Sequence, residues 1–215
     1  ESSIVYDARR NRIKEFCVEC RETVSLSEMG VFPQVAVAVE DKNFWTRWLV
    51  VSSDGIGRAL VEDFKTRTLS QGASTITQQA SRNLFLQKEL ARERETDDKR
   101  VKWWRKFREI WVSIHLERRL SRAQVLELYL NIAYCGNGRY GVEACSQFYF
   151  DRPANKLSVP EAALIAGLWR SPSSNPVRDV IRARALRDRV LQQLERQGVL
   201  SVRDRELAEQ IPMPL

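Results

Sequence analysis

Histidine is almost absent: His115 is the only one in 215 residues, and it sits between Ile114 and Leu116 in a run with helical spacing. A multi-histidine metal centre is excluded by count, and a histidine packed into a helix leaves a histidine-based triad without a base. Glycine and proline are also sparse, at 9 and 7 residues, which argues against loop-rich and fibrous architectures and for a mainly α protein. The glycines at 136, 138 and 141 follow a helical pattern rather than a strand, so neither a P-loop nor a dinucleotide-binding turn is present. No run of about 18 apolar residues occurs, so no segment reads as a membrane-spanning helix. No secretory leader is visible either: Glu1 opens directly into polar, strand-like sequence, as in a domain excised from a longer chain.

Cysteine is limited to Cys17, Cys20, Cys135 and Cys145. Cys17-x-x-Cys20 has the spacing of a redox or half-zinc motif, but Cys135 and Cys145 are too far apart to complete an ordinary zinc ribbon. A disulfide or plain free thiols is the reading these spacings favour.

Positive charge is abundant. The net charge is +7 and the sequence pI near 9.5, a balance that suits nucleic acid, a phospholipid surface or a phosphorylated substrate. Six tryptophans, several beside Arg or Lys, suit a membrane interface as well as a base-stacking surface.

Residues 3–26 alternate polar and apolar positions, with a turn-like break from Asp7 to Asn11, and read as a short β-hairpin or arm. From Pro33 the spacing becomes helical, with Val35, Ala38 and Val39 on one face. Residues 45–57 have neither a helical nor a strand period; an apolar segment of this kind is a mobile flap or a membrane-contacting one. Thr75 and Gln78 have the spacing of a capping box that opens a helix through Leu86. The charged stretch 88–100 reads as a solvated helix or loop. A long helix over 101–120 follows, with Trp104, Phe107, Trp111 and Ile114 forming an apolar stripe. Ser121 and Gln124 make a second capping box, and Ser158 and Glu161 a third, with Pro160 in the first turn where its missing N–H is harmless. The small residues Ala162, Ala163, Ala166 and Gly167 suit close helix packing. The last helix, 177–197, places Val180, Ala183, Leu186, Val190 and Leu194 inward, with Gly198 as its cap.

Three clusters carry candidate chemistry. Glu40-Asp41 ends an apolar helix and precedes Phe44 and Trp45, a setting that suits general-base work; spacing alone favours a solvated pair at a helix end. The stretch 72–83, "GASTITQQASRN", places Ser74, Thr75, Thr77, Gln78 and Gln79 at a helix N-terminus, where N–H groups and hydroxyls hold phosphate or sugar oxygens, or simply cap the helix. Arg82 lies four residues after Gln78 and faces the same side. In "KWWRKFRE", residues 102–109, Arg105 and Lys106 stand four and three residues before Glu109, so all three share a face opposite the aromatic stripe. Such a group binds an anion or forms a surface salt-bridge face worth roughly 0.3–0.5 kcal/mol per pair, and spacing alone favours the latter.

Taken in order, the segments "VAVAVEDKNF" (35–44), "GASTITQQASRNLFL" (72–86), "RKFRE" (105–109), "RAQVLELYLNIAYCGNGRYGVEACSQFYF" (122–150) and "LSVPEAALIAGLWRSPSSNP" (157–176) resemble the five motifs of glycosyltransferase family 51, the peptidoglycan glycosyltransferases of class A penicillin-binding proteins and monofunctional transglycosylases. The resemblance covers nearly the whole chain and outweighs the local readings. It implies a mainly α, lysozyme-like helical domain with a small membrane-facing lobe, arranged as an N-terminal lead-in (1–32), a glycosyltransferase domain (33–200) with a flexible membrane-facing segment (45–70), and a C-terminal exit segment (201–215). It further implies polymerisation of lipid II into β-1,4-linked strands with inversion and release of undecaprenyl diphosphate.

In that assignment Glu40 is the base that takes the proton of the acceptor sugar's 4-hydroxyl, and Glu109 is the second catalytic carboxylate. Asp41, Phe44, Ser74, Thr75, Gln78, Gln79, Arg82, Asn83, Arg105 and Lys106 bind substrate. A divalent cation, magnesium or manganese, assists at the diphosphate in such enzymes. The implied partners are lipid II and the growing glycan strand, the membrane surface, and a transpeptidase domain or other wall-synthesis proteins. The implied location is the extracytoplasmic face of the bacterial cytoplasmic membrane, with an anchor outside these residues.

The chain departs from the family pattern after Phe44, where the usual His and Gly are missing from "WTRWLV". Arg82 and Arg122 stand where lysines are usual; the charge is kept and the donor geometry changed. Those departures keep a second reading in play, a catalytically weakened lipid II-binding or scaffold domain. A nucleic-acid-binding helical domain leaves the Ser-Thr-x-Thr-Gln-Gln segment unexplained.

Overall fold

The computed structural model describes residues 2–6, 9, 12–17, 19–47, 74–96 and 98–213. Most of the segment expected to act as a flap, residues 48–70, lies outside the described residues. Two compact units emerge, one built from 1–35 and 133–215 and the other from 36–132.

In the first unit, β1 (Ser2–Tyr6) and β2 (Arg12–Cys17) form the antiparallel hairpin that the alternation predicts. A second, three-stranded sheet has the order β3-β5-β4, from Cys20–Arg21, Arg139–Tyr140 and Tyr134–Gly136. A disulfide joins Cys135 to Cys145 at the start of α6 (Val142–Phe150), and Cys20 is disulfide-bonded as well. Of the two readings of these cysteines, the disulfide is therefore the one realised.

Helix α7 (Val159–Arg170) starts as expected: the Ser158 N–H donates to Glu161 Oε2 across 2.8 Å, and Pro160 lies in the first turn. Its small face is buried at Ala162, Ala163 and Ala166. A Cβ on Gly167 would come within 3.2 Å of Leu186 Cβ, so this glycine sets how closely α8 (Val180–Arg196) approaches. Along α8, Ala183, Val190, Leu191 and Leu194 are buried, but Val180 is exposed, contrary to the periodicity. Val180 is the first helical residue, just after the N-cap Asp179, where the core-facing stripe has not begun. Gly198, with φ 71°, ends the helix as predicted.

Buried Arg187 donates to the carbonyls of Glu209 (2.9 Å) and Ile211 (2.6 Å). It thereby satisfies carbonyls at the C-terminal end of α9 (Val202–Gln210) that have no partner within the helix. Helix α9 falls in the region expected to be the exit segment.

In the second unit the apolar run before Glu40 completes α1 (Phe32–Glu40), with Ala36 to Val39 buried. Helix α2 (Ile76–Phe85) packs against both α4 (Lys99–Arg119) and α5 (Arg122–Ile132). The charged stretch forms a further helix, α3 (Gln87–Thr96). Thr75 caps α2 by accepting from the Gln78 N–H at 3.3 Å, yet the Gln78 side chain turns to Lys106 instead of closing a box. The box before α5 is complete: the Ser121 N–H donates to Gln124 Oε1 (2.8 Å) and the Gln124 N–H to Ser121 Oγ (3.3 Å). Val125, Leu126, Tyr129 and Leu130 form the buried face of α5.

Candidate active site

Helix α4 is turned inside out relative to an ordinary amphipathic helix. Arg105, Glu109, Ser113 and Glu117 recur every four residues and therefore line one face. The first three are buried, at 7%, 0% and 0% exposure, while Trp104, Phe107 and Trp111 are 63%, 61% and 55% exposed. The expectation of a solvated salt-bridge face is thereby overturned. An ordinary helix buries its rings, which carry about 150–250 Å² of surface each, and leaves its charges in water.

Glu109 is the centre of the buried face. One oxygen accepts from Lys106 Nζ at 2.7 Å and the other from the Arg105 guanidinium, which also pairs with Glu93 of α3. Lys106 uses its remaining donors on Ser74 Oγ (3.0 Å) and Gln78 Oε1 (2.9 Å). Burial pushes the Lys106 ammonium below its ordinary range; Glu109 opposes that, and the neighbouring Arg82 and Arg105 charges add to it. Removing one partner from such a buried group costs about 3–5 kcal/mol, because a charge is left without a counter-charge. Behind it, Ser113 Oγ lies 2.6 Å from the Glu109 carbonyl and 3.0 Å from Ser81 Oγ.

Glu40, the last residue of α1, is half-buried. Its Oε2 accepts from Gln79 Nε2 at 2.9 Å, and Gln79 Oε1 accepts from Tyr129 OH at 3.1 Å. An amide can present its N–H₂ or its C=O in a given direction; the Glu40 carboxylate only accepts, so it takes the N–H₂ end and leaves the C=O to the Tyr129 hydroxyl. Gln78 and Gln79 are adjacent on α2, so one helix holds the Lys106–Glu109 group with one amide and Glu40 with the next.

Asp41 and Phe44 behave differently from a ligand-facing pair. Asp41 Oδ2 accepts from the Ile76 N–H at 3.1 Å and pairs with the Arg47 guanidinium. Arg47 also reaches Glu117 Oε1 and Thr77 Oγ1, both at 2.9 Å. Phe44 has no exposed surface; its ring packs edge-on against Trp45 (5.0 Å) and lies beneath the Arg47 and Arg122 guanidinium groups. Arg122 donates to the carbonyls of both Phe44 and Arg47. Among the expected ligand contacts, Glu40, Ser74, Gln79, Arg82, Asn83 and Lys106 keep exposed surface, while Phe44, Thr75, Gln78, Arg105 and Glu109 are buried beneath them.

Arg47, Glu117 and Tyr129 join the site without having been singled out as ligands, and Thr77 joins it through Arg47 and Glu117. The four-residue recurrence 105, 109, 113, 117 was a visible signal for Glu117, and a lone arginine inside the apolar "FWTRWLVV" was one for Arg47. Tyr129 gave none, since its spacing is that of a core residue.

No group of three His, Cys, Asp or Glu able to hold a metal ion occurs among the described residues. Both Glu109 oxygens are occupied by side-chain cations. This donor set does not fit a protein-held divalent cation.

A model of the family described as "Transglycosylase" matches residues 9–195. Penicillin-binding protein 1F of Bacillus subtilis is 33% identical over 97% of this chain and 28% of its own length. Penicillin-binding protein 1A of Aquifex aeolicus is 35% identical over 99% and 28%, and that of Vibrio cholerae 39% identical over 85% and 21%. The chain thus spans under a third of the length of these relatives. The crystal structure of penicillin-binding protein 1A from Haemophilus influenzae superposes with a TM-score of 0.57 at 20% identity, over 99% of this chain and 21% of that one. That likeness concerns the fold, which is the mostly helical, lysozyme-like one expected.

Proposed function

This chain belongs to the transglycosylase family, a family of glycosyltransferases of peptidoglycan synthesis, and on that premise we propose that it extends glycan strands from lipid II with Glu40 as the general base. Glu40 takes the proton of the acceptor's 4-hydroxyl while that oxygen bonds to the anomeric carbon of the growing chain. The anomeric C–O bond to the diphosphate breaks as the new one forms, and its electron pair leaves with the diphosphate. Backside attack converts the α-linkage into a β-1,4 bond.

The single observation that carries this reading is the pair Gln78 and Gln79 on α2, which holds a cation and a half-exposed carboxylate from one rigid element. The departing diphosphate gains charge, so fixed cations near it stabilise the transition state. Lys106 and Arg82 are the cations with exposed surface, and Glu109 serves them from below by fixing Lys106 and Arg105. All three Lys106 donors are already used, so an incoming phosphate oxygen replaces the Ser74 hydroxyl, the longest of its three contacts. Phe44, Thr75 and Asp41 support these groups.

The exposed Trp104, Phe107 and Trp111, interleaved with Arg100 and Arg108, suit a phospholipid interface, where a lipid-linked substrate is presented. In this reading the domain works at the extracytoplasmic face of the bacterial cytoplasmic membrane, and a transpeptidase domain is the partner that its penicillin-binding relatives suggest. The competing reading, a binding module without catalysis, rests on the departures after Phe44. Of that stretch Arg47 is anchored at the site by two carboxylates, which favours an intact catalytic frame. The test is polymer formation from labelled lipid II beside the Glu40→Gln variant; polymer from both alike rejects the base, and lipid II binding without polymer from either favours the binding module.

A further inference from the structure

Arg47 stands seven residues after Glu40, in the part of the chain that departs from its family, and its side chain is 2% exposed. A buried guanidinium needs partners for its donors, and here three side chains meet both Nη groups, while Nε is buried without one. Its Nη1 pairs with Asp41, and its Nη2 lies 2.9 Å from both Glu117 Oε1 at the end of α4 and Thr77 Oγ1 in the first turn of α2. Thr77 Oγ1 in turn lies 2.5 Å from Glu117 Oε1.

The main chain between is pinned too. Arg122 at the start of α5 donates to the carbonyls of Phe44 and Arg47, and Asp41 accepts the Ile76 N–H. The turn 41–47 is thus closed on itself by Arg47–Asp41 and fastened to α2, α4 and α5. Two guanidinium charges, Arg47 and Arg122, balance the Asp41 and Glu117 carboxylates.

Glu40 is the residue immediately before this turn, at the C-terminal end of α1, where the Asp41 N–H still donates to the Val37 carbonyl (2.9 Å) and the chain then leaves the helix. We propose that Arg47 is a positioning residue for Glu40: by locking Asp41 to Thr77 and Glu117, it fixes the exit angle of α1 and with it the place of the Glu40 carboxylate beside Gln79. Removing the guanidinium leaves Asp41 and Glu117 as two buried like charges, which drives Asp41 outward and releases the turn. Arg rather than Lys is required, because the two ends of a planar fork reach Asp41 on one side and Glu117 with Thr77 on the other.

The proposal rests on Glu40 as base. Its test is a double-mutant cycle on turnover of labelled lipid II by the whole chain, using Glu40→Gln, Arg47→Met and the two combined. Misplacing a reacting group by about 1 Å costs on the order of 10²-fold in rate, so Arg47→Met is expected to lower kcat by roughly that factor with KM little changed. In the combined variant the Arg47 change adds no further loss, because there is no base left to misplace. Arg47→Lys, which keeps the charge without the fork, recovers the melting temperature and less than a tenth of kcat.

Full multiplication of the two losses in the combined variant, or full kcat in Arg47→Lys, overturns the proposal. Should Arg47→Met fail to fold, Arg47→Lys and its combination with Glu40→Gln complete the cycle alone. Unchanged turnover in Glu40→Gln itself rejects the base assignment instead, a distinguishable outcome.

Discussion

The side-chain amide of Gln79 donates to Oε2 of Glu40 across 2.9 Å, and the oxygen of that amide is held by the Tyr129 hydroxyl. A carboxylate in a fixed place is worth more to a proton transfer than a freely rotating one, since the reacting atoms must meet at hydrogen-bond distance. Hydrogen bonds to charged groups contribute about 1.5–3 kcal/mol, so Gln79→Ala is expected to lower kcat by at least about tenfold. Tyr129→Phe, which removes the bond to the amide oxygen but leaves the N–H₂ end on the carboxylate, should lower kcat by only a few-fold. Steady-state turnover of both variants, with circular dichroism to show an intact fold, checks the ranking; a larger loss in Tyr129→Phe than in Gln79→Ala contradicts it.

Lys106 gives a pH dependence whose sign is fixed by its surroundings. Burial holds its ammonium below the ordinary lysine range near 10.5, so on raising the pH it loses its charge earlier than an exposed lysine does. Its attraction for a diphosphate disappears with that charge. Inhibition by inorganic pyrophosphate is therefore expected to weaken on the alkaline side, starting below the pH at which ordinary lysines titrate. In Lys106→Arg, which stays charged, the decline is expected to vanish. An identical alkaline profile in the two proteins contradicts this role.

The aromatic face of α4 makes a third expectation. Trp104 and Phe107 stack with ring centroids 5.9 Å apart, and with Trp111 they stand in solvent. Replacing all three by serine is expected to leave thermal stability within a few degrees while reducing flotation with anionic phospholipid vesicles several-fold. A collapse of stability with unchanged flotation would mean that the rings serve the fold instead.

Much of the helical frame was legible because local rules and tertiary demands agree there. Ser158 with Glu161, Ser121 with Gln124, Gly198, and the small face of α7 each satisfy a backbone or packing need within a few residues. The site was legible in outline through the order of its motifs, not through local spacing. Spacing favoured a solvated surface for Arg105, Lys106 and Glu109, because a helix pattern shows which residues share a face and not which face is covered. What covers it is α2 with Gln78, Ser74 just ahead of that helix, and α3 with Glu93, all supplied from elsewhere in the chain. The same limit applies to Thr75 and Gln78, whose capping box stays half made because Lys106 offers Gln78 a charge-assisted bond. Arg47 was visible as a lone arginine in an apolar run, but its partners were not; its Asp41, Thr77 and Glu117 contacts span up to 70 positions, beyond any local rule.

The most direct test of the account is turnover of labelled lipid II by the unaltered chain and by Glu40→Gln, which keeps the size and the hydrogen bond acceptor while removing the base. Loss of the base is expected to reduce polymer formation by about 10²–10⁴-fold, with lipid II binding and melting temperature retained. Polymerisation at the unaltered rate in Glu40→Gln contradicts the account at its centre.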